Sequence, residues 1–347
     1  MTKVDLATNT HIVEELRVQS EVKEEVEILN HIKSSDMIHI TEDNVILCID
    51  VEENKKDEYA VSWKELSLFQ NSKIECFWRS TIIVNVKTTQ NPGLYFLYAG
   101  RAANKFFYCD TTNEEEKYDS VKSWRQLNVI NETTNKTPRK LKLACAIYDG
   151  EEKVYITGGS DERSYDEWLV FNANNHTMKK LSNLNEAREG HSGCYIKGKE
   201  ASMIYVFGGH NKRNLTNVQT IERLNLSEAH PKWEKIPLAQ DCDLTLSIES
   251  LVIPISDHNF ILLGGAESTL GASEDRKIMI SIEEDDSKLE TSFKAKSSPA
   301  PYWFTYNDSF NNKVLHHKVY HENYGKKFVI GKSGSFYMIK ENELYEG

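Results

Sequence analysis

Gly325-Lys326-Lys327-Phe328-Val329-Ile330-Gly331-Lys332-Ser333 carries the glycines, lysine and hydroxyl of a phosphate-gripping loop. That chemistry requires four residues between the glycines and a loop that opens a helix. Here five intervene, and Phe328-Val329-Ile330 reads as a strand, so the glycines cannot wrap a phosphate. His316, His317 and His321 form the only histidine cluster. On a strand, His317 and His321 share a face but stand roughly 13 Å apart at about 3.3 Å per residue, too far for one metal ion. The six cysteines (Cys48, Cys76, Cys109, Cys145, Cys194 and Cys242) are scattered with no CxxC pair, as buried reduced thiols would be. No HExxH or G-x-S-x-G run is present. No catalytic, cofactor-binding or metal-ligating set is expected, and the chain reads as a non-enzyme.

Charge narrows the partner class. The 347 residues hold 42 basic and 53 acidic side chains, a formal charge of -11. An acidic surface argues against a nucleic-acid backbone or an anionic membrane and leaves room for a basic protein partner. The acidic runs Glu114-Glu115-Glu116 and Glu283-Glu284-Asp285-Asp286 are expected in loops, as solvated faces or as contacts for such a partner. Residues 1–13 lack a basic run followed by an apolar core, and no apolar run approaches membrane-spanning length. A cytoplasmic setting is expected.

The elements that must position any site are short and repeated. Val154-Tyr155-Ile156-Thr157-Gly158-Gly159, Ile204-Tyr205-Val206-Phe207-Gly208-Gly209 and Phe260-Ile261-Leu262-Leu263-Gly264-Gly265 place glycine pairs 50 and then 56 residues apart. Tyr95-Phe96-Leu97-Tyr98-Ala99-Gly100 is a weakened copy. β-Branched and aromatic residues suit a half-buried strand, and paired glycines permit the positive φ with which it turns. A second marker repeats independently, at Trp63, Trp124, Met178, Trp233, Leu289 and Tyr345, each followed by charged residues. The spacing predicts six copies of about 52 residues over 36–347, each of four strands. In the fourth these are His191 to Ile196, Met203 to Phe207, Thr220 to Leu224 and Trp233 to Ile236. Residues 11–33 read instead as an acidic amphipathic helix within an N-terminal extension, residues 1–35. The helix either packs on the rim or binds a partner, and part of it is alternatively an irregular first strand. Ring closure stays open between an inner strand from Glu27 to Lys33 and a strand exchanged between the termini.

Arg188-Glu189-Gly190-His191-Ser192-Gly193 follows the Met178 marker and precedes the Ile204 strand. With the glycine-ended strands and Trp markers, this run resembles the kelch-repeat β-propellers. The resemblance is closest over 141–292 and weaker outside, where Ala99 and Lys332 replace glycines and the copy from Met37 to Trp63 has none. It implies an all-β fold of six four-stranded blades, with Gly158, Gly159, Gly208, Gly209, Gly264, Gly265, Arg188, Trp63, Trp124 and Trp233 as repeat-defining residues. Ligand contacts are implied at the loops after each glycine pair: Arg101 and Asn104; Asp161, Arg163 and Tyr165; His210, Lys212 and Arg213; Glu267; and Lys332. The implied role is a scaffold or adaptor that grips a protein partner, in a cytoskeletal or ciliary assembly. A subunit of a large stable complex and a sugar-modifying enzyme are the alternatives.

Overall fold

The computed structural model describes residues 104–110, 124–134, 139–198, 201–239 and 248–266 with few breaks, and elsewhere the strands named below. Every regular element among the described residues is a β-strand, and every strand pairing is antiparallel. Four sheets have four strands each in chain order. The 145–180 sheet orders Cys145–Tyr148, Lys153–Thr157, Trp168–Asn172 and Thr177–Lys180. The 192–237 sheet orders Ser192–Lys197, Ser202–Phe207, Thr220–Asn225 and Trp233–Pro237. The 82–127 and 251–299 sheets repeat the plan, and a sheet of Met37–Ile40, Ile46–Lys55 and Glu58–Leu66 has three strands.

The second strands Lys153–Thr157 and Ser202–Phe207 carry unbroken buried apolar runs because their sheets are covered on both faces. Side chains alternate across a strand, and the two sets enter different cores. Val154 and Ile156 pack with Tyr95, Leu97 and Tyr108 of the preceding sheet, whereas Tyr155 packs with Ile204 and Trp233 of the following one. One sheet later the pattern recurs. Ile204 and Val206 face back, while Tyr205 and Phe207 join Phe260, Ile278 and Phe293. The Trp168 and Trp233 rings meet edge-to-face with centroids 5.6 Å apart, and Phe260 lies 4.8 Å from Tyr205 and 4.9 Å from Phe207. Each such side chain contributes about 1.5–3 kcal/mol by leaving water.

The marker residues occupy the last strand of their sheets: Trp63 opposite Ile49, Trp124 opposite Cys109, Met178 opposite Phe171 and Trp233 opposite Leu224. Leu289 and Tyr345 lie outside the described residues. Two of these outer edges are covered. The Glu132 amide donates to Met178 O at 2.7 Å, and the Ala239 amide to Phe293 O at 2.9 Å, each in a parallel bridge. Covering an edge removes a template for aggregation.

Three expectations need correction. Val13–Leu16, inside the expected helix, is a strand paired with Phe336–Ile339. The row of amides and carbonyls offered by Phe336–Ile339 is satisfied by this pairing, which outweighs a helix preference of a few tenths of a kcal/mol per residue at Glu14 and Glu15. The two termini thus share one sheet, in the order Lys3–Val4, Val13–Leu16, Phe336–Ile339, Lys326–Ile330, Tyr320–Asn323. The remainder of the expected helix lies outside the described residues. Second, Glu283, Glu284 and Asp285 are not loop residues but end the strand Arg276–Asp285. Lys294 and Arg223 hold Glu283 and Glu284 at 2.9 and 2.5 Å, which keeps the acidic run on the sheet. Third, the copy ending Ala99-Gly100 turns differently. Its ladder shifts register between Phe96 and Ala99, and the left-handed residue is Tyr98, at φ 57°.

Phe328-Val329-Ile330 lies in the strand Lys326–Ile330. His316 and His321 stand on separate strands, Lys313–His316 and Tyr320–Asn323.

The glycine pairs all have positive φ, and Gly209 at 94° shows why the side chain must be absent. A Cβ there would lie 2.8 Å from both Glu189 O and His191 Cβ. Gly209→Ala is therefore expected to cost roughly 2 kcal/mol or more, whereas Gly150→Ala, at φ 79° with open space around it, should cost about 1 kcal/mol. Urea denaturation of the two variants checks this. Equal losses would show that the close approach at Gly209 is unimportant.

Candidate functional site

The loops that follow Gly158-Gly159 and Gly208-Gly209 lie beside the connection between the 145–180 and 192–237 sheets. That connection, residues 181–191, is fixed from below. Arg188 is fully buried, and its Nη2 bonds Glu222 Oε1, also fully buried, at 2.6 Å. Arg188 Nη1 donates to Gly208 O at 3.0 Å and to Thr220 O at 3.1 Å. The other Glu222 oxygen accepts from the Asn185 amide at 2.6 Å and from Asn185 Nδ2 at 3.0 Å. One arginine and one carboxylate thus tie the incoming connection to the second and third strands of the next sheet. Burial pulls the Arg188 pKa below its ordinary value although Glu222 and Glu186 oppose the shift. A buried pair of this kind fixes which backbone groups meet, whatever its net contribution to stability.

The backbone repeats this tie. Glu189 and His210 exchange amide-to-carbonyl hydrogen bonds at 2.9 Å each, as do Lys142 with Ser160 and Ile248 with Ala266. Ser160, His210 and Ala266 are the residues that follow the three glycine pairs. A further series links neighbouring connections. The Gly190 amide donates to Leu143 O at 2.8 Å, and the Glu249 amide to Gly190 O at 2.6 Å. All three residues adopt positive φ, between 53° and 59°.

On this frame sits a polar cluster. Glu189 has no exposed side-chain surface, yet Lys212 Nζ reaches its Oε2 at 3.0 Å and the Ser160 hydroxyl donates to the same oxygen. Its Oε1 faces His210 Nδ1 at 3.6 Å. Lys212 Nζ also donates to Ser160 Oγ at 2.9 Å, and the Lys212 amide donates to Ser164 Oγ at 2.9 Å. The pairing of His210–Asn211 with Thr216–Asn217 makes a small hairpin above it. The Tyr165 hydroxyl donates to Asp161 Oδ1 and holds that carboxyl below the usual carboxylate range. Arg139 stacks over the Tyr165 ring at 4.5 Å and pairs with Glu167 at 2.8 Å.

Loop, connection and hairpin enclose a recess of about 980 Å³. Arg163, Tyr165, Lys212 and Arg213 from the expected set line it, together with Asn185, Glu186 and Asn211. Asp161 and His210 brace it from behind. Asn104 is exposed and does not line the recess, and Arg101, Glu267 and Lys332 lie outside the described residues. Glu189, Ser160, Ser164, Asn185 and Glu222 are the additions of the structure. The signal for Glu189 is its place in the Arg188–His191 run. Nothing local to Glu222 distinguishes it from other strand glutamates.

Among the described residues no group of three or more His, Cys, Asp or Glu could hold a metal ion, and no helix is long and apolar enough to cross a membrane. Cys145 and Cys194 are free thiols, and burial raises the Cys194 pKa.

No family model matches the chain, and no curated protein matches it. Among solved structures it is similar to the one titled "Structure of YjhT", at 13% sequence identity and a TM-score of 0.48, over 76% of this chain and 74% of that chain.

Removing either member of the buried pair, as Arg188→Met or Glu222→Leu, is expected to cost about 3–5 kcal/mol because the other charge is stranded. The double variant should lose less than the sum of the two. Chemical denaturation of all four proteins completes the cycle, and strict additivity would show that the two side chains do not act as a unit.

Proposed function

We propose that the chain is a six-bladed β-propeller of the kelch type whose loop rim recognises a protein partner, making it a scaffold or adaptor rather than an enzyme. The observation that carries the reading is the recess itself. Its lining side chains project from loops whose backbone is fastened by the buried Arg188–Glu222 pair and by the reach of part-exposed Lys212 to buried Glu189. Loops held in advance lose little conformational freedom on binding, which leaves more of the contact energy as affinity. Arginine and tyrosine are the residue types that most often anchor such contacts, and Arg163, Tyr165 and Arg213 supply both. Consecutive sheets packed face to face support the propeller, since each can bury both faces only against neighbours. In this reading the sheet shared by the termini is the blade that closes the ring, and its pairing of Val13–Leu16 with Phe336–Ile339 supports it.

The test is affinity capture from the native cell with the intact chain and with an Arg163→Glu/Arg213→Glu variant. Both side chains stand outside the buried pairs, so the variant should unfold at the same temperature as the parent. Proteins captured by the parent are expected to be lost selectively from the variant. Capture of the same proteins by both would overturn the rim reading and move attention to the outer sheet edges.

A further inference from the structure

Five described residues other than glycine have positive φ: Tyr98, Leu143, His176, Leu215 and Glu249. Such a backbone costs on the order of 1–3 kcal/mol and persists where surrounding structure over-determines it. Tyr98 and Glu249 are buried. Leu143 O accepts from the Gly190 amide, and the His176 ring bonds the Tyr95 hydroxyl at 3.1 Å. Leu215 differs from all four. It stands at the hairpin tip, 79% exposed, the most exposed large apolar side chain among the described residues. A glycine or asparagine would adopt this φ more easily and leave no apolar surface in water. The fold gains nothing from leucine there.

The hairpin that carries Leu215 is nevertheless fixed. Its strands pair as His210 with Asn217 and Asn211 with Thr216. The Arg213 amide donates to Asn211 Oδ1 at 3.0 Å, the Val218 amide to Gly209 O at 2.8 Å, and Lys212 Nζ anchors on buried Glu189. Beside the tip, the charges of the recess are unequally engaged. Glu186 is bound by Lys235 at 2.9 Å and by Thr220 Oγ1 at 3.0 Å, and Asp166 accepts from Asn183 at 3.0 Å. Lys212 is committed to Glu189. The guanidinium groups of Arg163 and Arg213 have no carboxylate partner among the described residues, although a planar guanidinium is built to take a carboxylate in two parallel hydrogen bonds. Of the lining carboxylates, Glu162 has no partner for its side chain among the described residues.

We infer that the occupant of the recess is an acidic peptide segment of a partner protein, with its carboxylates on Arg163 and Arg213 and an apolar side chain against Leu215. The inference rests on the reading of the rim as a recognition face and adds the chemistry of what it recognises. Arg163 lies over the Tyr165 ring at 5.7 Å, which leaves its charge unneutralised. The acidity of the whole chain makes the two arginines without a carboxylate partner among the described residues a local exception, so they select such a segment against the charge of their own surface.

Fluorescence anisotropy with defined peptides tests it. The probe is a labelled decapeptide of glutamates around one leucine. Two controls replace the leucine by alanine or the glutamates by lysine. The glutamate–leucine peptide is expected to bind saturably, with affinity falling as salt rises, about ten-fold more tightly than the alanine control and without detectable binding of the lysine control. Arg163→Glu/Arg213→Glu should abolish binding. Leu215→Gly should weaken it about ten-fold while leaving the melting temperature unchanged or raised, an outcome a purely structural leucine could not give. Failure of the glutamate–leucine peptide to bind, equal binding of the lysine control, or indifference to both variants would overturn the inference. So would a concentration-dependent dimer, seen by sedimentation and abolished by Leu215→Gly, since the occupant would then be a second copy. If cellular partners are lost from the arginine variant while the acidic peptide fails to bind, this inference falls and the rim reading stands.

Discussion

The pair of Arg188 with Glu222 is the contact on which the rim depends. Neither side chain reaches water, and between them they engage Gly208, Thr220, Asn185 and Glu186. An isolated buried charge would be strongly unfavourable, so each member requires the other. The consequence is geometric. The connection leaving one sheet is locked to the glycine turn and third strand of the next, and the two sheets cannot slide without stranding a charge. A hydrophobic plug of similar volume would give comparable stability but would not specify which backbone groups meet.

That lock also explains the glycines. Glu189 meets His210 in two backbone hydrogen bonds only because Gly209 lets the chains approach, and the Gly159 amide donates to Arg188 O at 2.9 Å in the same way one sheet earlier. Sequence, turn and connection therefore form one unit: paired glycines for close approach, an arginine for the turn, and a glutamate on the third strand to balance it. The aromatic cores between sheets supply most of the driving force, but they act without direction. Position comes from the polar contacts around residue 188.

The sheets were legible in the sequence because continuous apolar runs ending in paired glycines leave local marks. The expected strand Thr220 to Leu224 differs from the observed one by a single residue, at its C-terminal end. Where sequence reading failed, the cause was a partner distant in the chain. Val13–Leu16 reads as helix from its own glutamates, and only Phe336–Ile339, more than 300 residues on, makes it a strand. Glu283 and Glu284 look like solvated charge until Lys294 and Arg223 are seen opposite them. The same holds at the candidate site. Arg163, Tyr165, Lys212 and Arg213 could be named from their place after a glycine pair, whereas Glu222 acquires meaning only when the fold carries it to Arg188. The hairpin of His210 to Asn217 was missed as well, because its pairing is too short to leave a periodic signal.

The three equivalent positions beside the glycine pairs are filled differently. Facing the residue after each glycine pair stand Lys142, Glu189 and Ile248. The middle one is a buried carboxylate, and beside it the following loop folds into a hairpin with a lysine reaching down. A repeat protein can hold its frame constant and vary one position to specialise one loop. Here the substitution of glutamate at that position converts an ordinary turn into an anchored projection. The anchor engages the charge of Lys212 and leaves Arg163 and Arg213 without a carboxylate partner among the described residues, so the residue that stiffens the hairpin also decides which cations of the recess stay unneutralised.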